Sequence, residues 1–282
     1  MTWSHPTLID AADKLAADPT ATVDSWWFTT KLHTDEALFW VKIHTMAMQG
    51  TCHSTVSLLQ EPDGHSSTKQ TTESLDAVTL PGAPLDARTS ILTISGDLDE
   101  LQISGATDTA SIQLTLRREE PVLYNGGSGL FPLFGGMNGQ YALPGLTTSG
   151  TVTVDGTTHQ IGGRTWFDRQ WGTPGSEPSR TTWLGLDLGA GRYLSIWDTV
   201  GDGTSWLTEL KADGTHTLTR AHRTEQASGH WQLTIPSLDA SLTITHRGLP
   251  DSHDGLYAGI CTVTGTLEGQ PIAGHGYTDV FA

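Results

Sequence analysis

The residues best suited to chemistry stand together in one short run. Trp166-Phe167-Asp168-Arg169-Gln170-Trp171-Gly172, introduced by Gly163-Arg164, sets one acid and one base between indoles. A carboxylate among indoles loses its water, and desolvation disfavours the charged form, so its pKa rises and it can hold or deliver a proton near neutral pH. Asp168 is therefore the candidate general acid, or the hydrogen-bond donor to a substrate carbonyl. Arg169 is the candidate catalytic cation beside it. On a strand, Trp166, Asp168 and Gln170 share one face while Phe167, Arg169 and Trp171 share the other. Only one set can then face a ligand. If Arg169 instead folds round onto Asp168, the acid becomes an ionised anchor.

The elements that must position this run are mostly strands. Period-two alternation marks Phe39, Val41 and Ile43; Ile112, Leu114 and Leu116; Leu184, Leu186 and Leu188; Trp231, Leu233 and Ile235; and Leu242 with Ile244. Between them, Asp63-Gly64, Asp155-Gly156, Asp202-Gly203, Asp213-Gly214 and Asp254-Gly255 supply turn pairs that tolerate positive φ. One segment has helical spacing, Pro6 to about Ala17, with Leu8, Ile9, Ala12 and Leu15 recurring after a proline. Such a meander must close into barrels or stack as a sandwich, because exposed strand edges are otherwise unprotected. Each half carries a tryptophan-rich segment, Trp26-Trp27 or Trp166 to Trp171, and is long enough for an up-and-down barrel. The expected fold is all-β: two antiparallel barrels in tandem, residues 1–148 with the short N-terminal helix and residues 149–282. The boundary is expected near Tyr141 to Ser149, where Pro144, Gly145 and Gly150 interrupt the pattern. Gly126 to Gly139 is too irregular for a strand and too apolar for an exposed loop. It either lines a cavity between the barrels or plugs the core.

Composition excludes several partners. Thirty-one acidic against 15 basic residues give a net charge of −16, which repels phosphate backbones and anionic lipid. No nucleic-acid partner and no membrane insertion are expected. Met1 leads directly into Thr2-Trp3-Ser4-His5-Pro6, without a basic or apolar leader, so a cytoplasmic location is expected. Cys52 and Cys261 lack metal-type or redox-type spacing and read as reduced, packed thiols. The twelve histidines fall into no HxH or HExxH arrangement, so no metal is expected. Gly127-Ser128-Gly129 completes neither GxSxG nor GxGxxG, so neither a serine nucleophile nor a nucleotide cofactor is indicated. The chain is expected to be a monomer or weak homo-oligomer with a hydrophobic small molecule as its partner.

Four segments carry a family resemblance. WFDRQWG, preceded by Gly150-Thr151-Val152-Thr153-Val154-Asp155-Gly156, resembles the signature of the AttH/CrtC-like proteins. These include carotenoid 1,2-hydratase (hydroxyneurosporene synthase), kievitone hydratase and lipocalin-like Diels-Alderases. Asp24-Ser25-Trp26-Trp27-Phe28 resembles the family's DWWY-type opening, and Leu123 to Gly129 its mid-chain glycine stretch. Gly274-His275-Gly276-Tyr277-Thr278-Asp279 is similar to its GxGYxE ending, with Asp279 where Glu is usual. The resemblance implies two lipocalin-like barrels, no cofactor, and a role for Asp168 in protonating an alkene. It also implies a competing structural role for part of the motif. Lipocalin-type barrels commonly begin with a glycine and a tryptophan packed beneath an arginine, which Trp171 and Arg169 would supply.

Ten tryptophans are many for one chain, although most buried tryptophans are core fillers. An aromatic-lined cavity between the barrels suits a long unsaturated hydrocarbon or polyketide. Its candidate substrate-binding residues are Trp26, Trp27, Trp166, Trp171, Trp183, Tyr124, Asn125, Tyr141, Glu209 and Tyr277, with Asp279 as a further polar member. The favoured activity is cofactor-independent ring closure, of Diels-Alder or conjugate-addition type, on a polyunsaturated natural-product intermediate. The alternatives are hydration of an alkene, which needs the acid absolutely, and non-enzymatic carriage of a hydrophobic ligand.

Overall fold

A computed structural model describes residues 8–80, 82, 84–133, 135–173, 181–199, 204–227, 229–248 and 256–281. They form two antiparallel sheets. The first holds β1 (Val23–His33), β2 (Leu38–Met48), β3 (Thr51–Glu61), β4 (Ser66–Ser74), β5 (Leu85–Arg88), β6 (Leu92–Gly96), β7 (Glu100–Ala106), β8 (Ala110–Arg117), β9 (Leu123–Tyr124), β10 (Leu130–Leu133), β11 (Gly136–Val154) and β12 (Thr157–Thr173). The second holds β13 (Thr181–Asp187), β14 (Tyr193–Thr199), β15 (Thr204–Leu210), β16 (His216–Thr219), β17 (His222–Ala227), β18 (His230–Ile235), β19 (Ala240–Gly248), β20 (Leu256–Leu267) and β21 (Gln270–Phe281). The hydrogen-bonded order is β4-β3-β2-β1-β12-β11-β8-β7-β6-β5 in the first, with β9 and β10 added on β11, and β16-β15-β14-β13-β21-β20-β19-β18-β17 in the second.

Each sheet curls round its own core, as the alternation requires. Phe39, Val41, Ile43, Ile112, Leu114 and Leu116 are buried inside the first. Leu184, Leu186, Leu188, Trp231, Leu233, Ile235, Leu242 and Ile244 are buried inside the second. A third apolar cluster joins the sheets. It takes Trp27, Trp40 and Trp166 from the first and Trp183, Tyr193, Trp197 and Tyr277 from the second. The chain is therefore all-β, with two barrel-like sheets pressed together through aromatic side chains.

Three expectations are corrected. The segment up to Ala17 is not a helix but carries only a 3₁₀ turn at Asp13–Leu15, while Pro6 lies outside the described residues. Its backbone is used elsewhere: the carbonyls of Lys14, Leu15 and Ala16 accept hydrogen bonds from Arg169 Nε, Trp26 Nε1 and Arg169 Nη2 at 2.8, 3.0 and 2.7 Å. The break at Tyr141 to Ser149 does not divide the sheets either. β11 runs straight through it, and Pro144-Gly145 makes a bulge that shifts its register against β12 between Leu143 and Leu146. The changeover between sheets falls instead between Thr173 and Thr181. Gly145 has φ 68°, and a side chain there would run into the Tyr193 hydroxyl, so the bulge is also a close approach to the second sheet. Finally, the glycine-rich stretch contains a strand, β10, paired to β11. Its Phe131 and Leu133 enter the cluster between the sheets.

Asp63-Gly64, Asp155-Gly156 and Asp213-Gly214 lie at turns between consecutive strands, whereas Asp202-Gly203 and Asp254-Gly255 lie outside the described residues. Cys52 and Cys261 are buried free thiols. Among the described residues no helix is long and apolar enough to cross a membrane.

Candidate active site

β12 delivers the WFDRQWG run as an extended strand at the centre of the first sheet, between β1 and β11. Alternation then sorts its side chains. Trp166 joins the cluster between the sheets, while Phe167 and Trp171 enter the first sheet's core. Asp168 lies on the Trp166 side, opposite Trp27 on β1 and Ala142 on β11. It is 5% exposed.

Burial dominates its electrostatics. Desolvation pushes the Asp168 carboxyl up to about 8, only partly offset by the Trp166 and Gln140 side chains, and the Asp279 carboxylate adds a further push upward. At neutral pH the group is protonated. Its Oδ1 has no hydrogen-bond partner, and the same is true of Trp27 Nε1 and the Tyr277 hydroxyl. Buried polar atoms are nearly always paired, so three unpartnered atoms around one aromatic cluster make it the candidate place for a polar contact to a ligand.

The enclosure is built from indoles. Trp27 meets Trp183 edge-on at a 5.1 Å ring separation and Tyr277 at 6.3 Å. Trp166 meets Trp183 at 5.9 Å. Trp183 is oriented by donating its N–H to Ser195 Oγ (3.1 Å), and Trp197 by donating to Gln140 Oε1 (2.8 Å). Gly185 makes room for this arrangement, since a Cβ there would lie 2.5 Å from the Trp183 ring and 3.0 Å from Trp166. Two clefts, of about 550 and 320 Å³, open elsewhere and are not lined by these residues.

Arg169 is not part of this site, which corrects its assignment as a catalytic cation. It points into the first sheet, fully buried, and pairs with Asp24. It donates to the backbone carbonyls of Lys14, Ala16, Ser25 and Gln170. Its guanidinium carbon lies 4.2 Å from the Trp26 ring centroid and 5.1 Å from that of Trp171. This is the barrel-closing arrangement, built by Arg169, Trp26 and Trp171 together.

The remaining expected residues divide by face. Trp26, Trp171 and Tyr141 belong to the first sheet's core and are corrected as ligand contacts. Burial raises the Tyr141 hydroxyl well above its ordinary value. Glu209 is buried, on the Leu207 face of β15 by strand alternation, and paired with Arg192 at 2.5 Å. Tyr124 is half-buried, its backbone N–H donating to His216 Nε2. Asn125 is buried with its side-chain amide unpartnered. The residues brought together are Asp168, Trp166, Trp27, Trp183 and Tyr277.

The sequence reading missed Ser25 and His44. Ser25 Oγ lies 2.9 Å from His44 Nε2. Burial, with Lys42 and His53 nearby, pushes the His44 imidazole down to about 3, so it is neutral. The signal was available: with Val41 and Ile43 facing the core, His44 must face outward, and a hairpin turn at Thr34–Ala37 sets it opposite Trp27. Gln140 was missed as well, because β11 reads as a boundary in sequence.

An all-β pair of curled sheets with an acid buried in aromatic contacts defines the class, and comparison supplies its family. The AttH-like family model matches residues 5–280, and the chain belongs to that family. Among curated proteins it is similar to dehydratase asqC of Emericella nidulans, with 27% identity over 212 residues, 64% of this chain and 60% of that protein. It is also similar to kievitone hydratase of Fusarium solani subsp. phaseoli, with 29% identity over 103 residues, 35% of this chain and 29% of that protein. The matches thus span less than two thirds of either relative. Among solved structures, kievitone hydratase from Nectria haematococca superposes with a TM-score of 0.81 at 20% identity, covering 98% of this chain and 93% of that one.

Proposed function

We propose that the protein is a hydro-lyase, adding water to, or removing it from, a carbon–carbon double bond of a hydrophobic unsaturated small molecule. One observation carries this reading: Asp168 is a buried carboxyl held protonated at neutral pH by its surroundings, among orphaned donors. A carrier has no use for a desolvated acid. Protonating an alkene carbon leaves positive charge on its neighbour, which the π systems of Trp27, Trp166 and Trp183 beside Asp168 would stabilise. A desolvated cation–π contact is worth about 2 kcal/mol, more than tenfold in rate. The names of the two curated relatives, a dehydratase and a hydratase, support the same class. Sequence alone favours ring closure; the protonated acid moves the preference to water addition or removal. Ring closure stands as a second reading, because Trp27 Nε1 and the Tyr277 hydroxyl could jointly polarise a carbonyl.

The test is untargeted. Extracts of the source organism are incubated in ¹⁸O-labelled water with the purified protein or with Asp168→Asn. Hydro-lyase activity converts one metabolite into another that has gained one labelled water or lost one unlabelled water, with the wild type only. Conversion without change of mass supports ring closure, and no conversion at all overturns both enzymatic readings.

A further inference from the structure

Ser25 and His44 enter no step described above, yet the strand register ties them to Asp168. Trp27 lies opposite Asp168 across β1/β12 and opposite His44 across β1/β2. Ser25, two residues earlier on the same face, is the diagonal neighbour of both, at backbone separations of about 7–8 Å. Across β1/β2 the contact is made, with Ser25 Oγ 2.9 Å from His44 Nε2. Across β1/β12 no direct contact is made: Asp168 Oδ1 is buried and unpartnered, and one bridging water would complete the span to Ser25. Ser25 is itself buried, so its hydroxyl is not simply a surface group leaning on a neighbour.

We propose that Asp168, Ser25 and His44 form a proton relay, in which Ser25 Oγ holds the reacting water and His44 takes up the proton that water releases. The proposal rests on the hydro-lyase reading and assigns it a second proton-handling group. In the hydration direction, the Asp168 proton moves to one alkene carbon, whose π electrons form the new C–H bond. The water oxygen forms the C–O bond to the adjacent carbon. As it does so, it passes a proton to Ser25 Oγ while the Ser25 proton moves to His44 Nε2. The proton then returns from His44 through Ser25 to the Asp168 carboxylate. Alkene and water give alcohol, with nothing oxidised or reduced; dehydration runs the same transfers backwards.

The electrostatics suit this cycle. Both ends are neutral at rest, since burial raises Asp168 and lowers His44. Proton transfer leaves a carboxylate and an imidazolium about 10 Å apart at the backbone, two strand spacings, where each favours the other's charged form. Lys42 on β2 and His53 on β3 oppose charge on His44. That opposition drives the proton back. In this scheme Ser25 touches the reacting water and is catalytic, whereas His44 acts through it and is a positioning residue.

Nuclear magnetic resonance of the full chain tests the relay without a substrate, using ¹³Cγ-labelled aspartate and ¹⁵N-labelled histidine rings. When Asp168 ionises near pH 8, the Ser25 hydroxyl should turn from His44 to the carboxylate. The His44 Nε2 shift then steps with the Asp168 ¹³Cγ shift. Ser25→Ala should remove at least half of the His44 step while Asp168 still titrates, and Ser25→Thr, which keeps the hydroxyl, should restore it. An unmoved His44 in the wild type, or an undiminished step in Ser25→Ala, overturns the relay; Ser25→Gly replaces Ser25→Ala if that variant does not fold. An Asp168 ¹³Cγ shift that titrates in the ordinary carboxylate range overturns the hydro-lyase reading instead, so the two failures are distinguishable.

Discussion

Replacing Asp168 by asparagine should make the protein more stable while removing its activity. In the unfolded chain this carboxyl titrates near 3.8, and in the folded protein near 8. A group whose folded pKa is raised gives its full stability below the unfolded value, and loses it as pH rises towards the folded one. The wild type should therefore lose stability relative to Asp168→Asn between about pH 4 and pH 8. Each unit of that window corresponds to about 1.4 kcal/mol, so at pH 7 the ionisable group costs about 4 kcal/mol. The asparagine amide offsets part of the gain, since an unpartnered buried donor costs about 1–3 kcal/mol. The pH dependence of the difference is cleaner than its size. Urea denaturation of both proteins at several pH values from 4 to 9 gives it directly. The two stability curves should diverge by about 1.4 kcal/mol per pH unit and run parallel above pH 8. Parallel curves across the whole range, or a wild type that gains on the variant as pH rises, would refute a buried, protonated Asp168.

Other outcomes follow from neighbouring features. Arg169→Met strands Asp24 and should destabilise the protein by about 3–5 kcal/mol in the same denaturation assay; near-wild-type stability would mean the pair does not anchor the barrel floor. Gly185→Ala places a methyl group 2.5 Å from the Trp183 ring, so the indoles must move, with a changed near-ultraviolet circular dichroism spectrum and at least a tenfold loss of turnover. An unchanged spectrum would show that the contact is slack. Cys261 is buried in apolar surroundings that raise its thiol above the ordinary range. It should resist a thiol reagent in the native protein and react after unfolding, and rapid native labelling would contradict its burial.

The alternation of Phe39, Val41 and Ile43, or of Leu184, Leu186 and Leu188, shows which face of a strand is wet, and it placed the cores correctly. The same period separated Asp168 from Arg169. It does not show which strands are neighbours, and there the reading failed. Tyr141 and Trp26 read as ligand contacts, but they face inward with Arg169. Pro144-Gly145 carries the composition of a linker, yet a long strand absorbs it as a bulge. Leu8, Ile9, Ala12 and Leu15 have helical spacing, but the backbone of this segment is held by Arg169 and Trp26, partners more than ten residues away or in the other half of the chain. Ser25 and His44 were legible only after β1 and β2 had been paired.

The pairing of the first sheet's first and last long strands has a consequence for how the chain acquires its shape. β1 lies between β2 and β12, so Val23 meets Gly172 and Trp27 meets Asp168 only after everything between them has been made. A polypeptide emerging from the ribosome can zip β1 to β4 as local hairpins, but Asp24 stays without Arg169 until β12 emerges. β13 and β21 repeat the arrangement in the second sheet. Both closures are long-range contacts, which form slowly. A fragment cut at residue 148 would expose the flank of β1 and leave the Asp24 charge uncompensated. Such a fragment is half of a sequence but not a unit of folding, and it should aggregate where the longer piece ending at Thr173 does not.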